Sequence, residues 1–154
     1  MKKPRIGLWL IGAYGGVATC VTLGLVSLAR RLTPTTGLVT AQPAFEGLGL
    51  PEPADFIIGG HEIRETGFLA SAEEFHVGSN ALEPELVQAC KDELLAASSR
   101  VRPGTKLGCG PTIGRLGNWG GLEANHHETT LEALERVGAD LDAFQRETGV
   151  DHLI

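Results

Sequence analysis

The chain has 154 residues with 13 basic and 19 acidic side chains, and its net charge of −6 gives nucleic acid no electrostatic reason to bind. Apolar residues make up 42% and charged residues 21%, which excludes a disordered or fibrous chain and fits one globular α/β domain with a real core. Cys20, Cys90 and Cys109 are scattered and form no C-x-x-C pair, a usage that fits reduced thiols in a cytoplasm better than a disulfide framework.

The first element is the apolar run Ile6 to Ile11, suited to a buried strand. It breaks at Gly12-Ala13-Tyr14-Gly15-Gly16 and resumes as a helical pattern whose inner face is expected to carry Val17, Val21, Leu25 and Leu28. A strand feeding a helix through glycines can hold a diphosphate. Glycine lets backbone approach the phosphates, and the helix start presents unpaired N–H groups and positive dipole. Here the spacing is G-x-x-G-G-x-A, one residue longer than the common form. Two other readings stand beside it. One is a glycine-rich βα turn that binds nothing. The other is a signal anchor, because Lys2, Lys3 and Arg5 precede the uncharged run and Arg30-Arg31 follow it. Glycines divide that run into a strand-sized and a helix-sized piece, so no membrane association is expected.

Pro34 closes the first helix, and Gly37 to Ala41 reads as a second short strand before Pro43. A dinucleotide unit usually places a carboxylate for the adenosine ribose at the end of its second strand, and none stands there. Glu46, the nearest, reads as a solvated loop charge. Asp55 to Gly60 predicts a third strand, running into His61-Glu62-Ile63-Arg64 at its carboxyl end, the edge where ligands sit in open α/β sheets. Glu62 can accept from ribose hydroxyls and Arg64 can steady a phosphate. An internal Glu–Arg pair or a solvated loop is an equal alternative for both.

Pro84 to about Ala97 predicts one helix with Leu86, Val87, Cys90 and Leu94 inward. Gly104 to Gly121 carries seven glycines and Trp119, predicting irregular backbone that either closes over a ligand near Cys109 and Gly110 or is a floppy insertion. His126 and His127 share no third ligand at metal-binding spacing, so no metal site is expected. Thr129 and Glu132 fit a capping box, Leu131, Leu134, Val137, Leu141 and Phe144 recur at helical spacing, and Gly149 suits the C-terminal cap. Val150 to Ile154 then reads as an incipient buried strand, the mark of the front piece of a longer protein.

Leu10 to Thr19, Gly37-Leu38-Val39, Phe45-Glu46-Gly47 and Gly59-Gly60-His61-Glu62-Ile63-Arg64, taken in order, resemble the N-terminal part of myo-inositol-1-phosphate synthases, the compact archaeal and bacterial type in particular. Cys109-Gly110 sits where that family carries a similar turn, and the likeness spans nearly the whole chain. The resemblance implies a Rossmann-like NAD-binding domain over residues 1–154, with a mainly parallel sheet truncated before its last strands. It implies that Gly12, Ala13, Tyr14, Gly15, Gly16 and Val17 hold the pyrophosphate of NAD, that Glu62 meets the adenosine ribose, and that Arg64 lies beside them. For the complete protein it implies conversion of D-glucose 6-phosphate to 1D-myo-inositol 3-phosphate by a homotetramer in the cytoplasm. The family's catalytic lysines would lie beyond Ile154, so no catalytic residue is expected here and the piece alone is expected to be inactive. The competing readings are the nucleotide domain of another NAD(P)-dependent dehydrogenase and a non-catalytic dinucleotide-binding module.

Overall fold

The computed structural model describes residues 3–120, 122 and 128–154. The His126-His127 pair and Gly121 lie outside the described residues. Strand β1, Ile6–Ile11, ends at the glycine bend, and helix α1, Gly16–Ala29, follows it. The uncharged run is therefore broken between a strand and a helix, and among the described residues no helix is long and apolar enough to cross a membrane.

The expected strand at Gly37 to Ala41 does not form. Residues 30–55 instead run over the surface with short 3-10 turns at Val39–Ala41, Pro43–Phe45 and Pro53–Asp55, and Val39 is exposed. Prolines 34, 43, 51 and 53 punctuate this stretch and deny it a run long enough to pair. The second strand, β2, is Phe56–Glu62. It extends two residues further than the sequence pattern indicates, so His61 and Glu62 belong to the strand itself.

Helix α2, Phe68–Ser79, was not anticipated. The predicted helix over Pro84 to Ala97 is two helices, α3 at Pro84–Ala89 and α4 at Lys91–Ser98, broken at the buried Cys90. Strand β3, Val101–Pro103, is short, and α5, Pro111–Leu116, interrupts the glycine-rich segment. Helix α6, Thr130–Thr148, starts on Thr129 with the expected capping box and ends on Gly149 in the left-handed conformation, φ 63°. Strand β4, His152–Leu153, completes a four-stranded, all-parallel sheet in the order β3-β2-β1-β4. That order is the opening of a dinucleotide-binding sheet, with successive strands building outward on one side of β1 before the chain returns to its other side.

The two faces of the sheet are packed differently. On one, Leu23, Ile58, Phe68, Val87, Cys90, Leu94 and Val101 form a core beneath α1, α2 and α4. On the other, α6 lays Phe144 over Gly7 and Gly59. A Cβ on either glycine would stand 2.7 Å from that ring, so the glycines are the space the ring occupies.

The inner face of α1 differs from the expected stripe. Ala18, Thr19, Thr22, Leu23 and Ser27 are buried, Leu25 and Leu28 are half-buried, and Val17 and Val21 face outward, Val17 at 82% exposure. Small residues let the helix sit close to the sheet. Two of their hydroxyls bond back to the helix, Thr22 to the Ala18 carbonyl at 2.8 Å and Ser27 to the Gly24 carbonyl at 3.1 Å, while Thr19 Oγ1 is buried without a partner among the described residues.

Candidate functional site

The glycine bend sits at the carboxyl end of β1, where the chain's paths to β2 and β4 diverge, which is the position of the ligand crevice in open α/β sheets. Gly12 takes φ +76°, a left-handed conformation that costs a side-chain residue dearly and glycine nothing. The N–H groups of Gly12 and Ala13 both donate to the His61 carbonyl, at 2.9 and 3.1 Å, and the Gly15 N–H returns to the Gly12 carbonyl at 2.9 Å. Tyr14 donates its N–H to Glu62 Oε2 at 2.8 Å, and its carbonyl accepts from Arg64 Nη2 at 2.7 Å.

The bend thus spends its amides through Gly15. The first helical bond of α1 is made by Thr19, to the Gly15 carbonyl. Among the described residues, the N–H groups of Gly16, Val17 and Ala18 donate to no bend or loop acceptor, and the first turn holds no acidic side chain. Gly15 caps the helix without a side-chain bond. Unpaired amides and helix dipole with no built-in counter-charge are what an anionic group requires. A Cβ on Gly15 would come within 3.1 Å of the Gly12 carbonyl and one on Gly16 within 2.7 Å of the Phe75 ring, so a side chain at either position would push against its neighbour.

Of the residues expected to touch a ligand, Ala13 and Tyr14 are buried. The Tyr14 ring packs edge-on to Phe68 with centroids 5.2 Å apart and stacks on Trp119 at 6.3 Å and 10°. Burial pushes its hydroxyl pKa up, with a lesser opposing effect from the Ser98 side chain. Tyr14 therefore shapes the bend through its backbone, and Gly15, Gly16 and Val17 carry the exposed end.

Glu62 is the last residue of β2 and only 6% exposed. Besides Tyr14 N–H it accepts from Ile63 N–H at 2.7 Å and Arg64 N–H at 3.3 Å. Because β2 is the second strand, Glu62 stands where a dinucleotide domain carries its ribose carboxylate. Ala41 to Pro43 lies in the connection before β2 and at no strand end. Arg64, half-buried, also pairs with Glu74 at 3.2 Å. A groove of 420 Å³ opens here between Gly16, Arg64, Glu74, Phe75 and Ser79. Two other cavities, of 350 and 390 Å³, are lined by the C-terminal half of α1 and lie away from the bend.

The glycine-rich segment folds back on this edge. Asn118 and Trp119 each donate a backbone N–H to the Ile63 carbonyl at 3.1 Å, and Glu65 N–H donates to Asn118 Oδ1 at 2.8 Å. It is anchored over Tyr14 through Trp119, whereas Cys109, a free thiol, is half-buried and Gly110 exposed. The contribution of His61 was not anticipated, since a backbone carbonyl leaves no mark in sequence.

The donors at the start of α1 and the glycine clearances fit the paired phosphates of a dinucleotide. A family model for an NAD-binding domain, described as myo-inositol-1-phosphate synthase, matches residues 6–154. The chain is also similar to the crystal structure of inositol-3-phosphate synthase from Caenorhabditis elegans, with a TM-score of 0.73 and 19% identity over 99% of this chain and 34% of that one. At that identity the likeness establishes the fold, and the chain spans about a third of the length of that structure. No curated protein sequence matches.

Proposed function

The chain belongs to the myo-inositol-1-phosphate synthase family, and from that premise we propose that residues 1–154 form the NAD-holding domain of an enzyme converting D-glucose 6-phosphate to 1D-myo-inositol 3-phosphate. The observation that carries the reading is the set of unspent amides at Gly16, Val17 and Ala18 beside a bend crowded against added side chains. When bound, NAD supplies a hydride acceptor that can return the hydride later in the same turnover.

In this reading the residues of the chain bind and orient. Gly16, Val17 and Ala18 present their amides to the pyrophosphate, while Gly12, Ala13, Tyr14 and Gly15 hold the bend. A carboxylate offers about four acceptor sites. Glu62 uses three of them on backbone donors, which leaves capacity for one ribose hydroxyl. Arg64 adds positive charge beside the same edge. No step of ring closure is assigned to a side chain here: of the two lysines after Lys3, Lys91 starts α4 and Lys106 donates to the Gly117 carbonyl at 3.5 Å. The active protein is a longer chain carrying this domain, acting as a homotetramer in the cytoplasm.

The test is an assay of D-glucose 6-phosphate conversion by this chain and by a longer protein that includes it, with NAD present. Inositol phosphate is expected from the longer protein alone. Turnover by the 154-residue chain would refute the division of labour. NAD binding by both without product from either would favour a non-catalytic dinucleotide module.

A further inference from the structure

We propose that the His61 imidazole is a positioning group for the dinucleotide site that works only in its neutral form, so that protonating this one ring weakens cofactor binding. The proposal rests on the reading of the glycine bend as the cofactor site.

The backbone of His61 organises the bend directly, because its carbonyl takes the N–H groups of both Gly12 and Ala13. Its ring is 4% exposed and is held from two sides. Trp9 Nε1 lies 3.0 Å from Nδ1, and Asp140 Oδ2 lies 2.9 Å from Nε2. An indole N–H can only donate, so Nδ1 must present a lone pair and the ring proton must reside on Nε2, directed at Asp140. The edge-on packing of Trp9 against the imidazole, centroids 4.9 Å apart at 76°, fixes that orientation. Only one protonation state satisfies all three groups.

A second proton would sit on Nδ1 and point at the indole N–H, setting two donors against each other at 3.0 Å. The ring or Trp9 must then turn. Trp9 is wedged against Phe144, centroids 5.1 Å apart, so the strain falls on the end of β2 and hence on the carbonyl that holds Gly12 and Ala13.

The charged neighbours come from each packed element. On α6 they are Asp140, which favours the imidazolium, and Arg136 one turn earlier, which opposes it. On β3, Arg102 is paired in register with His61 and is itself engaged by Glu147 at 3.6 Å. On β1, Trp9 and Ile11 carry no charge. Glu62 directs its carboxylate to Tyr14. The Trp9 donor is thus the element that makes the second proton incompatible with the bend, and Asp140 alone would permit it.

The test titrates NAD into the chain from about pH 8 to pH 5, the range in which imidazoles change charge, while the His61 ring nitrogens are followed by NMR. Neutral His61 should show a bare Nδ1 and a protonated Nε2. Bound NAD should move the ring's titration to lower pH, because binding and protonation oppose each other reciprocally. Affinity should fall on acidification, approaching about tenfold per pH unit for a single proton. Trp9→Phe should bind more weakly at neutral pH and lose this dependence, since the added proton no longer meets a donor. Binding that is independent of pH, a protonated Nδ1 in the neutral ring, or a ring titration unmoved by NAD would overturn the proposal while leaving the cofactor site intact. Absence of NAD binding at every pH would overturn the cofactor reading and this proposal with it. The ring measurements need no variant, so misfolding of Trp9→Phe leaves the test decisive.

Discussion

Glu62 Oε2 accepts the backbone N–H of Tyr14 at 2.8 Å, tying the end of the second strand to the middle of the glycine bend across 48 residues of sequence. Arg64 donates to the Tyr14 carbonyl at 2.7 Å, so both backbone polar groups of this one residue are gripped by side chains at the end of β2 and just past it. The bend is therefore shaped from outside itself. The charges that would face a ligand also hold the surface on which the ligand rests.

Glu62→Gln should weaken NAD binding and lower thermal stability together. The substitution turns one carboxylate oxygen into a donor facing Tyr14, Ile63 or Arg64 N–H, and a hydrogen bond to a charged group contributes about 1.5–3 kcal/mol, or roughly one to two powers of ten in affinity. Calorimetric titration and a melting curve check it. Affinity and melting temperature equal to those of the parent chain would remove Glu62 from the site.

Gly60→Ala should destabilise the fold more than a change elsewhere in β2 of the same size. Its Cβ would lie 2.3 Å from the Leu10 carbonyl oxygen and 3.0 Å from Ala13 Cβ, and backbone cannot step aside as a side chain can. Overpacking of this kind costs about 1–3 kcal/mol and sometimes more. An unchanged urea midpoint would show that the two strands can separate at the bend.

Phe144→Ala should cost about 3–5 kcal/mol, the usual loss for removing a buried aromatic ring. The ring shares the space above Gly7 and Gly59 with Val150, Leu153 and Trp9, and neither glycine has a side chain to collapse into the gap its removal would leave. The measurement is equilibrium unfolding, and a loss below 1 kcal/mol would mean that α6 is held chiefly by other contacts.

Stability should fall in mild acid through the clamp at the start of α6. Arg136 donates to both carboxylate oxygens of Glu128, at 2.7 and 3.0 Å, and to the carbonyls of Pro103 and Gly104 at 2.9 and 3.0 Å. The Arg136 hydrogen bonds hold the Glu128 pKa below its ordinary value of 4.5. A carboxylate with a depressed folded pKa stabilises fully above its unfolded value and loses that contribution as pH falls through the folded one. The chain should lose stability from about pH 5 downward, and Glu128→Gln should lose less over the same range. Parallel acid profiles for the two would contradict the clamp.

The parts of the fold legible in sequence are those whose signals are local. Ile6 to Ile11 is a strand by its apolar run, and α6 is bounded by Thr129, Glu132 and Gly149, each of which caps through its own chemistry. Val150 to Ile154 yields a strand, β4, as its pattern indicates, but of the expected buried segment only Val150 is buried and Ile154 is exposed. Gly37 to Ala41 has the composition of a strand, but pairing is a long-range property, and the prolines around it leave no register to adopt. The buried face of α1 is hidden because Thr19, Thr22 and Ser27 look polar while two of their hydroxyls bond back to the helix. Helix α2 begins at Gly67 without a capping side chain, so no start signal precedes it. At the site, the glycines and Glu62 are visible in sequence. The carbonyl of His61 and the ring arrangement of Trp9, His61 and Asp140 arise only when strands and α6 meet.

The most direct measurement is calorimetric titration of NAD into the 154-residue chain and into Gly15→Val. The parent chain should bind with one-to-one stoichiometry. The variant, whose Cβ would sit 3.1 Å from the Gly12 carbonyl at the mouth of the bend, should show no binding. Equal affinity in both would place the dinucleotide elsewhere and contradict the account.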